Sequence, residues 1–218
     1  MPRPDQTVNL IVDLSDNVAN VDFTRLRAAG VDAVILKATE GATYQDRIFN
    51  ARLPQAVASG LKVGVFHFGT KAPLDAQVSN FITTVGGFAG LVPFVDVEQN
   101  EADPGNTMTP DMAEQWVQIF RARTQLTPGV YAGAYLRAAN GAVGRPNLQS
   151  CPLWLAAYQA APYAMPGWQD WTLWQYTDGR LGTYAGAVDG AGLCDQSGYN
   201  AAAATRFDDF WQSLAGPA

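Results

Sequence analysis

Two periods alternate along the first two thirds of the chain. Val8–Asp13, Ala33–Leu36, Lys62–Phe68, Pro93–Glu98 and Val130–Tyr135 are short runs rich in β-branched and aromatic residues with polar groups at or beyond their ends, and they read as buried strands. Between them the apolar spacing lengthens to that of a helix. Val21–Ala29 stops at Gly30, and Arg47 to about Ser59, capped by Asp46, stops at Gly60. Pro54 inside that second segment is expected to kink or split it. Pro73 to about Val85 sets Leu74, Val78, Phe81, Ile82 and Val85 on one stripe before Gly86-Gly87. Thr109-Pro110 opens a helix to about Gln125, with Met112, Trp116, Ile119 and Phe120 inward. After Tyr135 the rhythm changes. Leu153–Tyr158 and Trp171–Tyr176 are short aromatic strands separated by Pro- and Gly-rich loops. A last strand is expected within Ala187–Leu193, and a final helix around Thr205–Leu214.

Strands alternating with helices imply a parallel sheet with right-handed crossovers. About eight strands with polar ends in 218 residues point to an α/β fold closed into an irregular TIM-like barrel. Helices dress its first half and mostly loops its last strands. The rival, an open doubly wound sheet, needs a Gly-rich phosphate turn after the first strand; here that turn is Asp13-Leu-Ser-Asp-Asn17, acidic and glycine-free. Without repeats or a linker, residues 1–218 read as one domain with its core at about 8–212 and no cell-wall-binding repeat.

Composition narrows the function. Hydrophobic residues make up 48% and charged ones 16%, enough for a sizeable core. A net charge of −6 argues against a nucleic-acid partner, which needs a basic surface. No run of 18 apolar residues suggests a membrane span. Met1–Thr7 lacks the apolar centre of an export leader, so an extracellular role implies release by a holin or another route, or a leader absent from this sequence. His67 is the only histidine, which excludes multi-His metal sites; a hydrogen-bonded strand side chain is favoured for it over a catalytic base. Cys151 and Cys194 form no metal motif, leaving one disulfide and two buried thiols both open.

The chemistry gathers on Pro93–Glu98. Strand alternation puts Val92, Phe94, Asp96 and Glu98 on one face, the two acids with α-carbons roughly 6.5 Å apart. Close carboxylates raise one another's pKa, as suits a general acid beside an ionised partner. On the pair alone, a catalytic role and a solvated strand end both stay open. A barrel would bring to the same mouth Asp13, Lys37 to Glu40, Phe66 and His67, Tyr135, Trp154 and Tyr158, Trp174 and Tyr176, and Asp189 or Asp195. Carboxylates with aromatic faces are what a sugar-cleaving cleft requires. Glu40 is a cleft residue or a loop acid. Trp154 and Trp174 can stack on sugar or pack, whereas Trp116 and Trp211 read as helix-face core.

These residues carry a resemblance. Asp13-Leu-Ser15, Lys37-Ala-Thr-Glu-Gly41, Gly64-Val-Phe-His-Phe68, Gln77 with Phe81, Val95–Glu98, Val130-Tyr131, Leu153–Tyr158, Leu173–Asp178 and Cys194-Asp-Gln-Ser197 follow the order of the glycoside hydrolase family 25 muramidases, the Chalaropsis-type lysozymes, over nearly the whole chain. The resemblance implies a (β/α)5(β)3 barrel that hydrolyses the β-1,4 bond between N-acetylmuramic acid and N-acetylglucosamine in peptidoglycan. It implies Glu98 as general acid, Asp96 assisting the substrate's N-acetyl group, and Asp13 and Asp195 framing the mouth, with no metal or organic cofactor. Cys194-Asp-Gln-Ser is the closer match to the closing motif, favouring Asp195 over Asp189. Candidate sugar contacts are Glu40, Phe66, Tyr135, Trp154, Tyr158 and Trp174; Phe66 stands where the family commonly has Tyr. The expected protein is a monomer acting on the bacterial cell wall, an endolysin or autolysin catalytic domain whose partner is the glycan strand. The alternatives are a non-catalytic carbohydrate-binding barrel and a hydrolase of another N-acetylated glycan such as chitin.

Overall fold

A computed structural model describes residues 3–217. In chain order it contains β1 (Thr7–Leu14), α1 (Phe23–Ala28), β2 (Val31–Glu40), β3 (Tyr44–Gln45), α2 (Phe49–Ala58), β4 (Lys62–Phe68), α3 (Leu74–Val85), β5 (Leu91–Val97) and α4 (Pro110–Thr124). There follow β6 (Gly129–Ala132), α5 (Ala134–Ala138), α6 (Pro146–Gln149), β7 (Leu153–Ala156), β8 (Leu173–Thr177), β9 (Ala187–Val188), β10 (Gly192–Leu193), β11 (Asp195–Asn200) and α7 (Phe207–Leu214). Eight strands close in the order β1-β2-β4-β5-β6-β7-β8-β11, with β11 returning to β1. Seven run parallel, and β11 is antiparallel to both its neighbours. The closed α/β barrel expected from the alternation is present. Met1, Pro2 and Ala218 lie outside the described residues. Among the described residues, no helix is long and apolar enough to cross a membrane.

Side-chain alternation sorts the core into two clusters. Val12, Val34, Leu36, Val63, Val65, Val95, Val97, Val130 and Leu155 face outward, under helices α1 to α4. Ile11, Ala33, Ile35, Phe66, Val92, Phe94, Tyr131, Trp154, Leu173 and Tyr199 fill the barrel. Its N-terminal end is plugged by α7, whose Phe207, Phe210, Trp211 and Leu214 recur at helical spacing and join the inner cluster. Filled below and stoppered by α7, the barrel leaves only its C-terminal end open, where the polar strand ends converge.

Local chemistry explains most boundaries. Thr109 accepts a hydrogen bond from the Met112 amide at 3.2 Å and Pro110 takes the first helical position, as expected for α4. Asp22 caps α1 in the same way. Four expectations need correction. Helix α2 runs unsplit through Pro54, and Asp46 is no N-cap: its carboxylate instead accepts the amides of Ile48 and, across to the loop after β1, Asp16. The fifth strand ends at Ala132, because the chain turns at Gly133 into α5, which carries Tyr135 off the sheet. The last barrel strand is β11, not a segment within Ala187–Leu193; β9 and β10 pair only with each other. β11 pairs edge to edge with β1, where a Cβ on Gly198 would lie 2.4 Å from that of Thr7. Cys151 and Cys194 are two buried free thiols.

Candidate active site

Asp13, Asp96, Glu98 and Asp195 meet at the open end of the barrel, around a cleft of about 330 Å³. Asp13, Asp96 and Glu98 arrive by the same route: an apolar strand runs up the barrel, and an acid occupies the inward position at or just past its C-terminal end. Asp13 and Asp96 lie within β1 and β5, and Glu98 is the first residue past β5. Asp195 starts the antiparallel β11 and stands opposite Asp13 in the β1–β11 pairing, so the reversed strand still delivers an acid to the mouth. Ser15, Asn17, Lys37, Phe66, Phe68, Tyr131, Trp154, Tyr158 and Gln175 complete the lining.

Gln175 organises one wall. Its amide nitrogen donates to both Asp13 oxygens at 3.0 Å, and its carbonyl oxygen accepts from the hydroxyls of Tyr131 and Tyr158, each at 2.8 Å. Tyr158 Oη also lies 3.2 Å from Asp195 Oδ1. Both ends of the amide are thus bonded within the mouth, as a buried polar side chain requires. Trp154 donates its indole N–H to Ser197 Oγ at 3.0 Å and sits edge-on to Phe94 and Tyr131.

Asp96 is 5% exposed, and its Oδ1 has no hydrogen-bond partner. Burial and the neighbouring charge of Glu98 push its pKa well up, against the opposing pull of Lys37. Burial, then the Asp195 charge, raises Glu98 to about 7. Burial also raises Asp195 to about 6 and lifts Asp13, which feels the charges of Asp195 and Glu98 as well. Four acids packed into a half-enclosed space cannot all be ionised at once, so the mouth retains protons at neutral pH. A proton held by a carboxyl at the rim is available to a basic atom brought there.

Lys37 is the one positively charged side chain lining this cleft among the described residues. A register shift between Lys37 and Thr39 in the β2–β4 pairing sets Thr39, not Ala38, opposite His67. Glu40 therefore lies on the same side as Lys37, where its carboxylate accepts from Nζ at 2.7 Å.

Other expected site residues fall elsewhere. Glu40 reaches the mouth only through Lys37 and does not line the cleft. Trp174 points out of the barrel, fully buried, with its N–H on the Ala157 carbonyl, and so packs rather than stacks on sugar. Strand alternation dictates this: Leu173 and Gln175 face inward, Trp174 and Tyr176 outward. Tyr135, now on α5, borders an adjoining recess of about 420 Å³ that shares Glu98, Tyr131 and Tyr158 with the cleft. Asp189 sits on the outer surface, paired with Arg25. His67 is buried outside the barrel, bonded to Thr39 and Gln77 and stacked on Trp116; burial lowers its pKa to about 4. Phe66 faces the mouth with an apolar ring, and the phenols there belong to Tyr131 and Tyr158. Tyr131 and Gln175 were not singled out in the sequence, though a glutamine at an inward position of an aromatic strand is a signal, since a buried amide needs partners.

The family model for Glycosyl hydrolases family 25 matches residues 12–182. "Lysozyme M1" of Streptomyces globisporus is 28% identical over 82% of this chain and 65% of its own length. The chain thus spans less than two thirds of that relative. "N,O-diacetylmuramidase" of a Chalaropsis species is 30% identical over 76% of this chain and 86% of its own. Among solved structures, the bacterial lysozyme of Streptomyces coelicolor superposes with a TM-score of 0.76 at 25% identity, covering 92% of this chain and 95% of that one.

Proposed function

The chain belongs to glycosyl hydrolases family 25, and from that membership we propose that it is a peptidoglycan muramidase, cleaving the β-1,4 bond from N-acetylmuramic acid to N-acetylglucosamine. The observation that carries the reading is Glu98: a carboxyl at the rim of an acid-rich cleft, holding its proton up to about pH 7, directly above a buried Asp96 with an unpartnered oxygen. Glu98 donates its proton to the glycosidic oxygen as the bond to the leaving sugar breaks. The substrate's own acetamido oxygen attacks C1 from the opposite face. Asp96 accepts the acetamido N–H and offsets the positive charge that develops on the resulting bicyclic ion. Water then opens that ion while Glu98, now a carboxylate, takes its proton back. Two acids on one strand face cannot flank a sugar from opposite sides, as direct displacement by a carboxylate requires, but they suit this division of work. Asp13 and Asp195 hold the sugar hydroxyls and the attacking water, and Trp154, Tyr158 and Phe66 line the path of the ring. The work is done on the bacterial cell wall, and the glycan strand is the partner.

Digestion of purified peptidoglycan, borohydride reduction of the products and mass spectrometry of the new ends test this. Muramitol ends are expected. Glucosaminitol ends would make the protein a glucosaminidase, cleavage of chitin alone would shift the substrate, and the absence of products would leave a carbohydrate-binding barrel.

A further inference from the structure

Lys37 is unlike every other charged group at the mouth. It is the single cation against four carboxylates, and its side chain is only 17% exposed. Three contacts hold it: Glu40 at 2.7 Å, the face of Phe68 with Nζ 5.0 Å from the ring centroid, and the face of Tyr44 at 5.5 Å. The Glu40 contact depends on the register shift in β2, since residues three apart on an unbroken strand point to opposite faces. The flanking rings attract the ammonium and restrict it. A lysine meant to follow a mobile ligand has no need of such a cage.

We propose that Lys37 is a positioning residue for the reaction: caged by Glu40, Tyr44 and Phe68, its ammonium is the counter-charge that favours the anionic form of Asp96 while Glu98 carries the proton. The assignment rests on the muramidase reading of Glu98 and Asp96 and deepens it. The titratable groups around the ammonium come from the neighbouring elements: Glu40 on β2, Tyr44 on β3, Asp13 on β1, Asp16 in the loop after it, Asp96 on β5 with Glu98 just past it, and Asp195 on β11. His67 on β4 lies on the outer face, buried and uncharged at neutral pH, so it contributes no competing charge. Of the four acids at the mouth, Asp96 and Glu98 respond to Lys37, as does Asp16 in the loop after β1; Asp13 and Asp195 answer to their own neighbours. Selectivity for that pair is what the mechanism needs. Burial next to a second acid favours a neutral Asp96, which could not offset the charge on the bicyclic ion, and Lys37 is the group that opposes this.

The test replaces the charge and keeps the stem, with Lys37→Met and Lys37→Arg. Losing the ammonium should move both limbs of the kcat pH profile of Lys37→Met toward alkaline pH by roughly half to one pH unit, a screened fraction of what direct contact gives. Lys37→Arg should restore the wild-type limbs even if its rate is lower. An unmoved profile with a raised KM would overturn the proposal and make Lys37 a sugar contact. Should Lys37→Met turn over too slowly to profile, carbon-detected NMR titration of the Glu98 carboxyl reads the same shift without catalysis, and an unshifted titration rejects the idea. That titration separates this inference from the broader one, because a shifted Glu98 in a protein that releases no muramitol would sink only the muramidase reading.

Discussion

At the scale of single residues, the mouth separates acids that share a cleft from acids that merely resemble a motif. Glu98→Gln should lower turnover by at least about 10²-fold, the lower range for loss of a general acid, with an unchanged circular dichroism spectrum and retained glycan binding. Near-normal activity in that variant would remove Glu98 from the role. Because the acid must be protonated, kcat of the wild type should fall as pH rises through about 7. A rate flat from pH 5 to 9 would contradict it. Asp195 and Asp189 provide a paired comparison. Asp195 borders the cleft and contacts Tyr158, whereas Asp189 is paired with Arg25 on the surface. Asp195→Asn should reduce activity at least tenfold and Asp189→Asn should leave it within about twofold, the expectation for an exposed ion pair; equal effects would show that the mouth geometry does not govern the rate. The acids at the mouth were legible in the sequence because apolar strands ending in carboxylates are rare and costly without a use. Gln175 was not, since its value depends on three partners far away in the chain: Asp13, Tyr131 and Tyr158.

At the scale of elements, β5 decides the site and β6 protects it. Phe94 lies two residues below Asp96 on the same face and fills the barrel against Trp154 and Trp211. Gly129, opposite Phe94 in the β5–β6 pairing, makes room for that ring: a Cβ there would sit 2.4 Å from it. Gly129→Ala should therefore destabilise the fold by about 1–3 kcal/mol through overpacking, measured as a lower denaturation midpoint in urea, and should lower activity by tilting Asp96. A variant as stable as the wild type would show that the ring repacks freely. Helices α1 to α4 could be read from apolar spacing, and α4 from its cap as well, because those signals are local. The placing of Tyr135 and Trp174 off the cleft has reasons just as physical. One break at Gly133 converts a strand end into a helix, and alternation along β8 turns Trp174 outward.

At the scale of the whole molecule, the acid cluster ties stability to pH. Folding raises Glu98 from 4.5 to about 7 and Asp195 from 3.8 to about 6, and raises Asp13 and Asp96 as well. The folded state holds protons that the unfolded chain releases. The resulting stability is fully present below the unfolded values, near pH 4, and is lost as pH rises through about 6 to 7. The lowered pKa of Asp16 and of Asp208 works in the opposite direction, but both carboxylates meet their partners at the surface, where solvent screens them. The melting temperature should therefore be higher at pH 5 than at pH 8, by roughly 5 °C or more for a few kcal/mol in a chain of this length. Glu98→Gln, uncharged at both values, should narrow the gap chiefly by stabilising the protein at pH 8. An equal gap in wild type and variant would show that Glu98 does not store this energy.

By itself the sequence determined the alternation of strands and helices, the closed α/β barrel, and the acids at the ends of β1 and β5, because each rests on periodicity and on the cost of burying charge, which operate over a few neighbouring residues. The tertiary structure alone decided that the closing strand runs antiparallel as β11 and that Gln175 joins Asp13 to two tyrosines. It also decided that Lys37 is held by Glu40 across a register shift. These features depend on strand direction, on which face each side chain meets, and on pairings between residues far apart in the chain, and no local pattern of apolar and polar positions encodes them.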